Sequence, residues 1–281
     1  MKCSRRFLSS IIQVIFAHMK VTFLGTGTSQ GVPVITCDCD TCRSDDPRDK
    51  RLRTSVLIET DDVTLVIDAG PDFRQQMLRT GVRKLDAILL THEHKDHIAG
   101  MDDVRPFNFR SRQPIDIFAE KRVQEAVKRE YSYVFAELKY PGIPQMSLHP
   151  IDGSIIDVRG LKIIPIRIYH YRLPIYGFRV DDFTYITDAN FIPNEGKKII
   201  SGTRILVINA LHKRKHISHF NLDEALAVIK EISPEKAYLT HISHAMGKYS
   251  EIQKELPENV FLAYDMLSFD IGRKKGKSEE G

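Results

Sequence analysis

Tryptophan is absent from this 281-residue sequence, and cysteine occurs only four times. So few cysteines in a chain of this length exclude the class of small disulfide-rich secreted domains. The sequence also lacks internal repeats, low-complexity tracts and any apolar run long enough to span a bilayer. With 42% hydrophobic residues it is of the ordinary globular class, and it can bury a core large enough for an enzyme.

Residues 19–271, the body of the chain, also carry almost no net charge. The formal net charge is +4, but residues 1–18 carry +3 and residues 272–281 carry +2, which leaves −1 for the residues between them. A protein that binds nucleic acid through its phosphates needs a basic surface. We therefore expect no stable nucleic-acid partner and no membrane partner, and any phosphate ligand must be held by local chemistry.

The chain divides into an extension, one folded domain and a tail. Residues 1–18 combine basic side chains with an apolar stretch, but no small-x-small cleavage site precedes Met19. We therefore interpret this segment as a dispensable extension and not as a secretory signal, with Met19 as an alternative start. We expect the domain over residues 19–271, a charged tail over residues 272–281 and a cytoplasmic location.

Apolar runs of strand length are interspersed with helical patterns through this body. The turns Asp61-Asp62 and Asp181-Asp182 join two pairs of runs, which predicts antiparallel hairpins. Residues 222–232 and 120–130 are predicted helices, the first because apolar side chains recur at helical spacing behind Asn221. Together these elements predict mixed α/β layers and not a strictly alternating doubly wound sheet. The predicted strands are residues 21–24, 55–58, 63–67, 87–90, 161–168, 176–180, 183–186, 205–208, 237–239 and 260–263.

The strongest chemical signal is Thr-His-Glu-His-Lys-Asp-His at residues 91–97, directly after the predicted strand 87–90. Packing gives no reason to crowd three imidazoles and a carboxylate within six residues, whereas metal binding does. Neutral imidazole suits zinc, manganese or iron, and a carboxylate is a hard donor. The H-x-H spacing also points two rings to the same side of an extended segment. A solvated polar loop is the alternative interpretation.

This segment resembles the H-x-H-x-D-H signature of the metallo-β-lactamase fold superfamily. Four further motif residues of the superfamily can be matched in chain order, one before this segment and three after it, each near the end of a predicted strand: Asp68, His170, Asp188 and His241. The resemblance covers nearly the whole body of the chain. It implies an α/β fold of the α+β layered kind, the four-layer αβ/βα sandwich.

The resemblance also implies how these residues share two divalent ions, zinc or manganese. One ion would be bound by His92, His94 and His170. The second would be bound by Asp96, His97 and His241. Asp188 would bridge the two ions, and Asp68 would support the site from behind the ligands.

A second cluster is formed by Cys37, Cys39 and Cys42. Three thiols within six residues suggest no disulfide pattern, whereas thiolates commonly bind zinc in a tetrahedral site. Reduced structural thiols are the alternative. Cys3 lies in the extension, so we expect His244 as the fourth ligand. Such a structural zinc site resembles that of the phosphoribosyl cyclic phosphodiesterases of phosphonate degradation.

The glycine-rich turn at residues 24–33 is similar to turns in the same phosphodiesterases and in ribonuclease Z. In these relatives a histidine just before the helix at residues 222–232 is placed to protonate the leaving oxygen. His219 is the best match, with His216 as its rival. The imidazole pKa suits a general acid near neutrality. We therefore expect His219, Asp96 and Asp68 as the catalytic residues.

The activity implied by the resemblance is hydrolysis of a small phosphodiester by a hydroxide that bridges two ions, with a cyclic sugar or nucleotide phosphate as substrate. The main alternative is a ribonuclease Z-like nuclease, although the sequence contains no glycine-rich basic arm. Hydrolysis of β-lactams or thioesters and a non-catalytic metal-binding scaffold are further alternatives, because fold alone does not determine substrate. The oligomeric state is open, and a homodimer is compatible with the sequence.

Overall fold

A computed structural model describes residues 17–138 and 140–273. In this part of the chain, fourteen strands form two seven-stranded sheets. The strands are β1 Ala17–Gly25, β2 Ser55–Thr60, β3 Thr64–Ile67, β4 Ala87–Leu89, β5 Ile115–Ala119, β6 Met146–Pro150, β7 Ile156–Val158, β8 Leu161–His170, β9 Leu173–Val180, β10 Phe183–Tyr185, β11 Ile205–Asn209, β12 Lys236–Thr240, β13 Val260–Leu262 and β14 Ser268–Arg273. Their order is β14-β1-β2-β3-β4-β5-β6 in the first sheet and β13-β12-β11-β10-β9-β8-β7 in the second.

Short helices connect the strands. Three 3₁₀ turns lie at Pro47–Asp49, Met101–Val104 and His244–Met246. The α-helices of the described chain are α1 Asp40–Arg43, α2 Phe73–Thr80, α3 Lys95–Ile98, α4 Arg105–Ser111, α5 Lys121–Glu130, α6 Ser132–Phe135, α7 Asn194–Ile200, α8 Leu222–Ile232 and α9 Tyr249–Ile252. Among the described residues, no helix is both long and apolar enough to cross a membrane.

Three buried apolar clusters define four layers. One cluster lies between the sheets and includes Phe23 and Phe178. A second packs the first sheet against α2, α4 and α5, and a third packs the second sheet against α7 and α8. The arrangement is therefore helices, sheet, sheet, helices, and the predicted four-layer αβ/βα sandwich is confirmed.

Local sequence explains the elements that were predicted correctly. Helix α8 begins with a capping box: the Asn221 side chain accepts a hydrogen bond from the Glu224 backbone N–H, and the Glu224 side chain accepts one from the Asn221 backbone N–H. Its buried face includes Leu222, Ala225 and Ile229. Both predicted hairpins are antiparallel pairs, β2 with β3 and β9 with β10. Helix α5 was also predicted to within one residue.

Strands β5, β6, β7 and β14 were missed. Continuous apolar runs are typical of strands buried on both faces, whereas β5 alternates buried and partly exposed residues. Strands β6, β7 and β14 lie at the edges of their sheets, where polar residues are tolerated. Pairing of β1 with β14 includes His18 and Gly272, and the remaining residues of the predicted extension and tail, 1–16 and 274–281, lie outside the described chain.

Strand direction brings the predicted site residues to one edge of the sandwich. Strands β3 and β4 are parallel in the first sheet, and β10, β11 and β12 are parallel in the second. Strand β8 runs in the same direction as β10, because each is antiparallel to β9. The carboxyl ends of these strands therefore lie together, and loops at such ends commonly carry functional side chains.

Candidate metal centre

Two groups of predicted ligands lie close together at this edge. In each group, one potential ligand atom per residue lies within 4.8 Å of the others. The first group is His92, His94 and His170. The second group is Asp96, His97, Asp188 and His241. Each group combines residues that follow β4 with residues from the second sheet, so the site exists only when the two sheets pack together.

Three of the residues that follow strands have left-handed backbone conformations. Asp68 follows β3 with φ +64°, Asp188 follows β10 with φ +60°, and His241 follows β12 with φ +53°. This conformation is uncommon for residues other than glycine and costs on the order of 1–3 kcal/mol at each position. Such strain at three neighbouring strand ends is typical of a functional site.

The second group contains buried nitrogens that have no hydrogen-bond partner. These atoms are Nε2 of His97 and both ring nitrogens of His241. His97 Nε2 lies 3.2 Å from Asp96 Oδ2 and 3.4 Å from Asp188 Oδ1, and His241 Nε2 lies 3.2 Å from Asp188 Oδ2. An unpaired buried polar atom is costly. A cation bound between the two Nε2 atoms and these carboxylates would give both nitrogens a partner.

The charges of the second group fit a cation equally well. Burial opposes protonation of His97, yet Asp96, Asp188 and Asp68 raise its pKa well above the ordinary value. Burial likewise opposes ionisation of Asp188, but His241 and His97 hold its pKa well below the usual range. The pKa of Asp96 is also lowered, because His97 and His241 outweigh the effect of burial. Both carboxylates are therefore ionised, and the proton on His97 occupies a place where positive charge is favoured. A divalent ion can supply that charge instead.

Two histidines of the first group are neutral imidazoles, His92 and His94. Burial lowers the pKa of His92 well below its ordinary value and also lowers the pKa of His94. Nε2 of His92 lies 2.9 Å from Nδ1 of His94. The Nδ1 atom of His170 lies 2.8 Å from the carbonyl oxygen of Ser218 and can donate to it, which leaves Nε2 free to bind an ion. Neutral imidazole is the form that coordinates metals.

Asp68 connects the two groups from behind. Its carboxylate accepts hydrogen bonds from the backbone and hydroxyl of Thr91 and lies 2.7 Å from Nδ1 of His97. The same hydroxyl lies 2.9 Å from Nδ1 of His92. Asp68 thereby orients one imidazole of each group, directly or through Thr91, as carboxylates behind metal-bound histidines do. Thr91 immediately precedes the first histidine, but no sequence pattern predicted that its hydroxyl would join Asp68 to His92.

His219 borders both groups. Its Nε2 lies 3.3 Å from Asp188 Oδ2, and its ring stacks on that of His241 with 4.9 Å between centroids. His216 contacts the opposite side of the ring, 3.2 Å from Nδ1 of His219. Burial lowers the pKa of His219 to about 4, so the ring is neutral in this arrangement. His170, Asp188 and His219 also form a third group within 4.8 Å, so His219 is itself a possible ligand.

The structure also brings the three cysteines and His244 together. The Sγ atoms of Cys37, Cys39 and Cys42 lie 3.2, 3.3 and 3.6 Å from Nδ1 of His244. A hydrogen bond from the Cys42 backbone lowers the pKa of Cys39 to about 6, whereas burial raises that of Cys42 to about 11. Three sulfurs and one nitrogen form a donor set that suits zinc. An ion there would join the loop before β2 to the segment that follows His241.

Comparisons with known proteins agree with this geometry. A family model described as a beta-lactamase superfamily domain matches residues 64–242. A crystal structure of a diphosphatase from the PhnP family superposes with a TM-score of 0.85 at 36% identity, covering 90% of this chain and 97% of that one.

Two curated relatives match over part of their length. An octanoyltransferase of Porphyromonas gingivalis is 39% identical over 259 residues, which are 91% of this chain and 52% of that protein. A ribonuclease Z of Lactobacillus acidophilus is 29% identical over 176 residues, which are 58% of this chain and 48% of that protein. The chain thus spans about half the length of these two relatives.

Proposed function

Because the chain belongs to the beta-lactamase superfamily, and within it to the PhnP-like subfamily, we propose that this hydrolase uses divalent ions to cleave a phosphodiester bond in a small molecule. The observation that carries the proposal is the convergence of two ligand groups from two sheets, with Asp188 between them. Unpaired buried nitrogens and ionised carboxylates in the second group fit one cation, and the clustered imidazoles of the first group fit another.

The proposed division of ligands follows the two groups. His92, His94 and His170 would hold one ion, and Asp96, His97 and His241 would hold the other, with Asp188 facing both. Cys37, Cys39, Cys42 and His244 would hold a structural zinc. Zinc and manganese are both compatible with imidazole and carboxylate donors, so the identity of the catalytic ions is left to experiment.

Each residue then has a defined task. Bound divalent ions would supply a water of lowered pKa and positive charge for the phosphate oxygens. Asp68 holds His97 and, through Thr91, His92 in their orientations. His219 lies beside Asp188 and would donate a proton to the leaving oxygen. Burial lowers its pKa, and the negative charge of a bound phosphate would favour the protonated ring.

We propose a cyclic sugar or nucleotide phosphate as the substrate. Similarity to the PhnP family supports a small phosphate compound, and the absence of excess positive charge in the body argues against a long RNA footprint. The name of the PhnP-family relative favours a second candidate, hydrolysis of a diphosphate bond. A cytoplasmic location and the lack of a stable nucleic-acid partner are parts of the same proposal.

A substrate comparison tests this proposal. Protein loaded with manganese or zinc is assayed on a nucleoside 2′,3′-cyclic phosphate, a nucleoside diphosphate and a precursor tRNA. We expect kcat/KM for the cyclic phosphate to exceed the other two values by at least about tenfold, equivalent to about 1.4 kcal/mol of transition-state binding. Faster cleavage of the diphosphate would establish the second candidate, and no turnover of any compound would contradict both.

A further inference from the structure

An ion pair fixes the residue between the first two histidines. Nη1 of Arg122, near the start of α5, donates to Oε1 of Glu93, which separates His92 from His94. The other carboxylate oxygen, Oε2 of Glu93, is buried and has no hydrogen-bond partner. Glu93 is half-buried, so its ion pair with Arg122 is partly shielded from water and fixes the position of the carboxylate.

The same guanidinium reaches the second sheet. Nη2 of Arg122 donates to the carbonyl oxygen of Pro174 at 2.7 Å. Pro174 lies in β9 and pairs with Tyr169, and the next pair of this hairpin joins Leu173 to His170. Arg122 thus bonds both to the neighbour of His94 and to the strand that pairs with His170. These histidines belong to one ligand group although they come from different sheets.

Two further contacts stiffen this connection. Glu120 accepts from Arg122 at 3.3 Å and from Arg167 of β8 at 2.8 Å. The guanidinium of Arg167 lies 3.8 Å from the ring centroid of Tyr176, and the backbone N–H of Tyr176 donates to the carbonyl oxygen of Thr91. Hydrogen bonds to charged groups are among the stronger ones in proteins. The network therefore limits the relative movement of the two sheets beside the first ligand group.

We propose that Arg122 is a positioning residue that fixes the spacing of His92 and His94 relative to His170, and so controls the affinity of one of the two ions independently of the other. The contacts of Arg122 are to Glu93, Glu120 and Pro174. In the second group His97 is bonded directly to Asp68, whereas Asp68 reaches the first group only through the hydroxyl of Thr91. This inference rests on the proposed binding of two ions.

The test is the metal content of Arg122→Ala, measured by mass spectrometry during dialysis against a graded series of metal buffers. Loss of a residue that orients metal ligands typically lowers metal affinity by about 10–100-fold. We expect that loss for one ion only, with the other ion and the cysteine-bound zinc retained as in the parent. Arg122→Lys and Glu93→Gln should give intermediate affinities, since each keeps only part of the bridge.

Arg204→Ala is the matched control, because Arg204 also joins two carboxylates, those of Glu235 and Asp182, at a distant surface. It should leave all metal affinities unchanged. Equal weakening of every ion in Arg122→Ala, or unchanged affinities, would overturn the positioning role. Parent protein that binds no ions at the two histidine-containing groups would instead contradict the proposed function itself.

Discussion

Replacement of His94 by alanine should remove turnover of every phosphodiester tested. His94 is one of three residues proposed to hold the first ion, and its Nδ1 directly faces Nε2 of His92. Charge stabilisation by a metal ion contributes several kcal/mol in the transition state, which corresponds to a rate loss of about a thousandfold or more. The variant should also contain one ion fewer than the parent protein.

His149→Ala provides the control for this variant. His149 pairs with Asp116 and stacks on Phe118, and none of these residues belongs to the ligand groups. It should retain its metals and its rate. Parent-like metal content and turnover in His94→Ala would show that the three-histidine group does not hold a required ion.

Replacement of His219 by alanine should slow turnover by an amount that depends on the leaving group. A general acid contributes typically about 10²–10⁴-fold when an alkoxide must be protonated as it leaves. p-Nitrophenolate departs without a proton, so hydrolysis of bis(p-nitrophenyl) phosphate should be much less affected than that of a cyclic nucleotide. Both ions should remain bound, because His219 is not assigned to either ligand set.

The alternative role of His219 as a ligand makes a different prediction. Its group with His170 and Asp188 would lose an ion on substitution, and both substrates would then be affected equally. His216→Ala should cost less than His219→Ala, since His216 contacts only the far side of the ring. Unchanged turnover of the cyclic substrate in His219→Ala would exclude the role as proton donor.

Local pattern explains which features the sequence could predict. The spacing of residues 91–97 indicates metal binding by itself, whereas Asp68 and Asp188 were matched through the family resemblance. Parallel pairing of β3 with β4 and of β10 with β11 places these side chains at one edge. Left-handed turns at strand ends were not predicted, because Asp68 and Asp188 carry no local signal for that conformation.

Contacts between distant segments explain what the sequence could not provide. Cys37 and His244 are separated by 207 positions, and their association was expected from the need for a fourth zinc ligand and from a family resemblance, not from any local pattern. No sequence pattern predicts the hydrogen bond from Arg122 to Glu93, since an arginine at the start of a helix is more often a surface residue. Strand β5 was not predicted because its buried and partly exposed residues alternate, so no continuous apolar run marks it.

The central claim is most directly tested by the metal content of protein purified without chelator, measured together with manganese-dependent hydrolysis of bis(p-nitrophenyl) phosphate. We predict about three ions per chain, two at the histidine and aspartate groups and one at the cysteines, with activity that is lost on chelation and restored by manganese or zinc. A single ion per chain with no turnover after reloading with either metal would contradict the account.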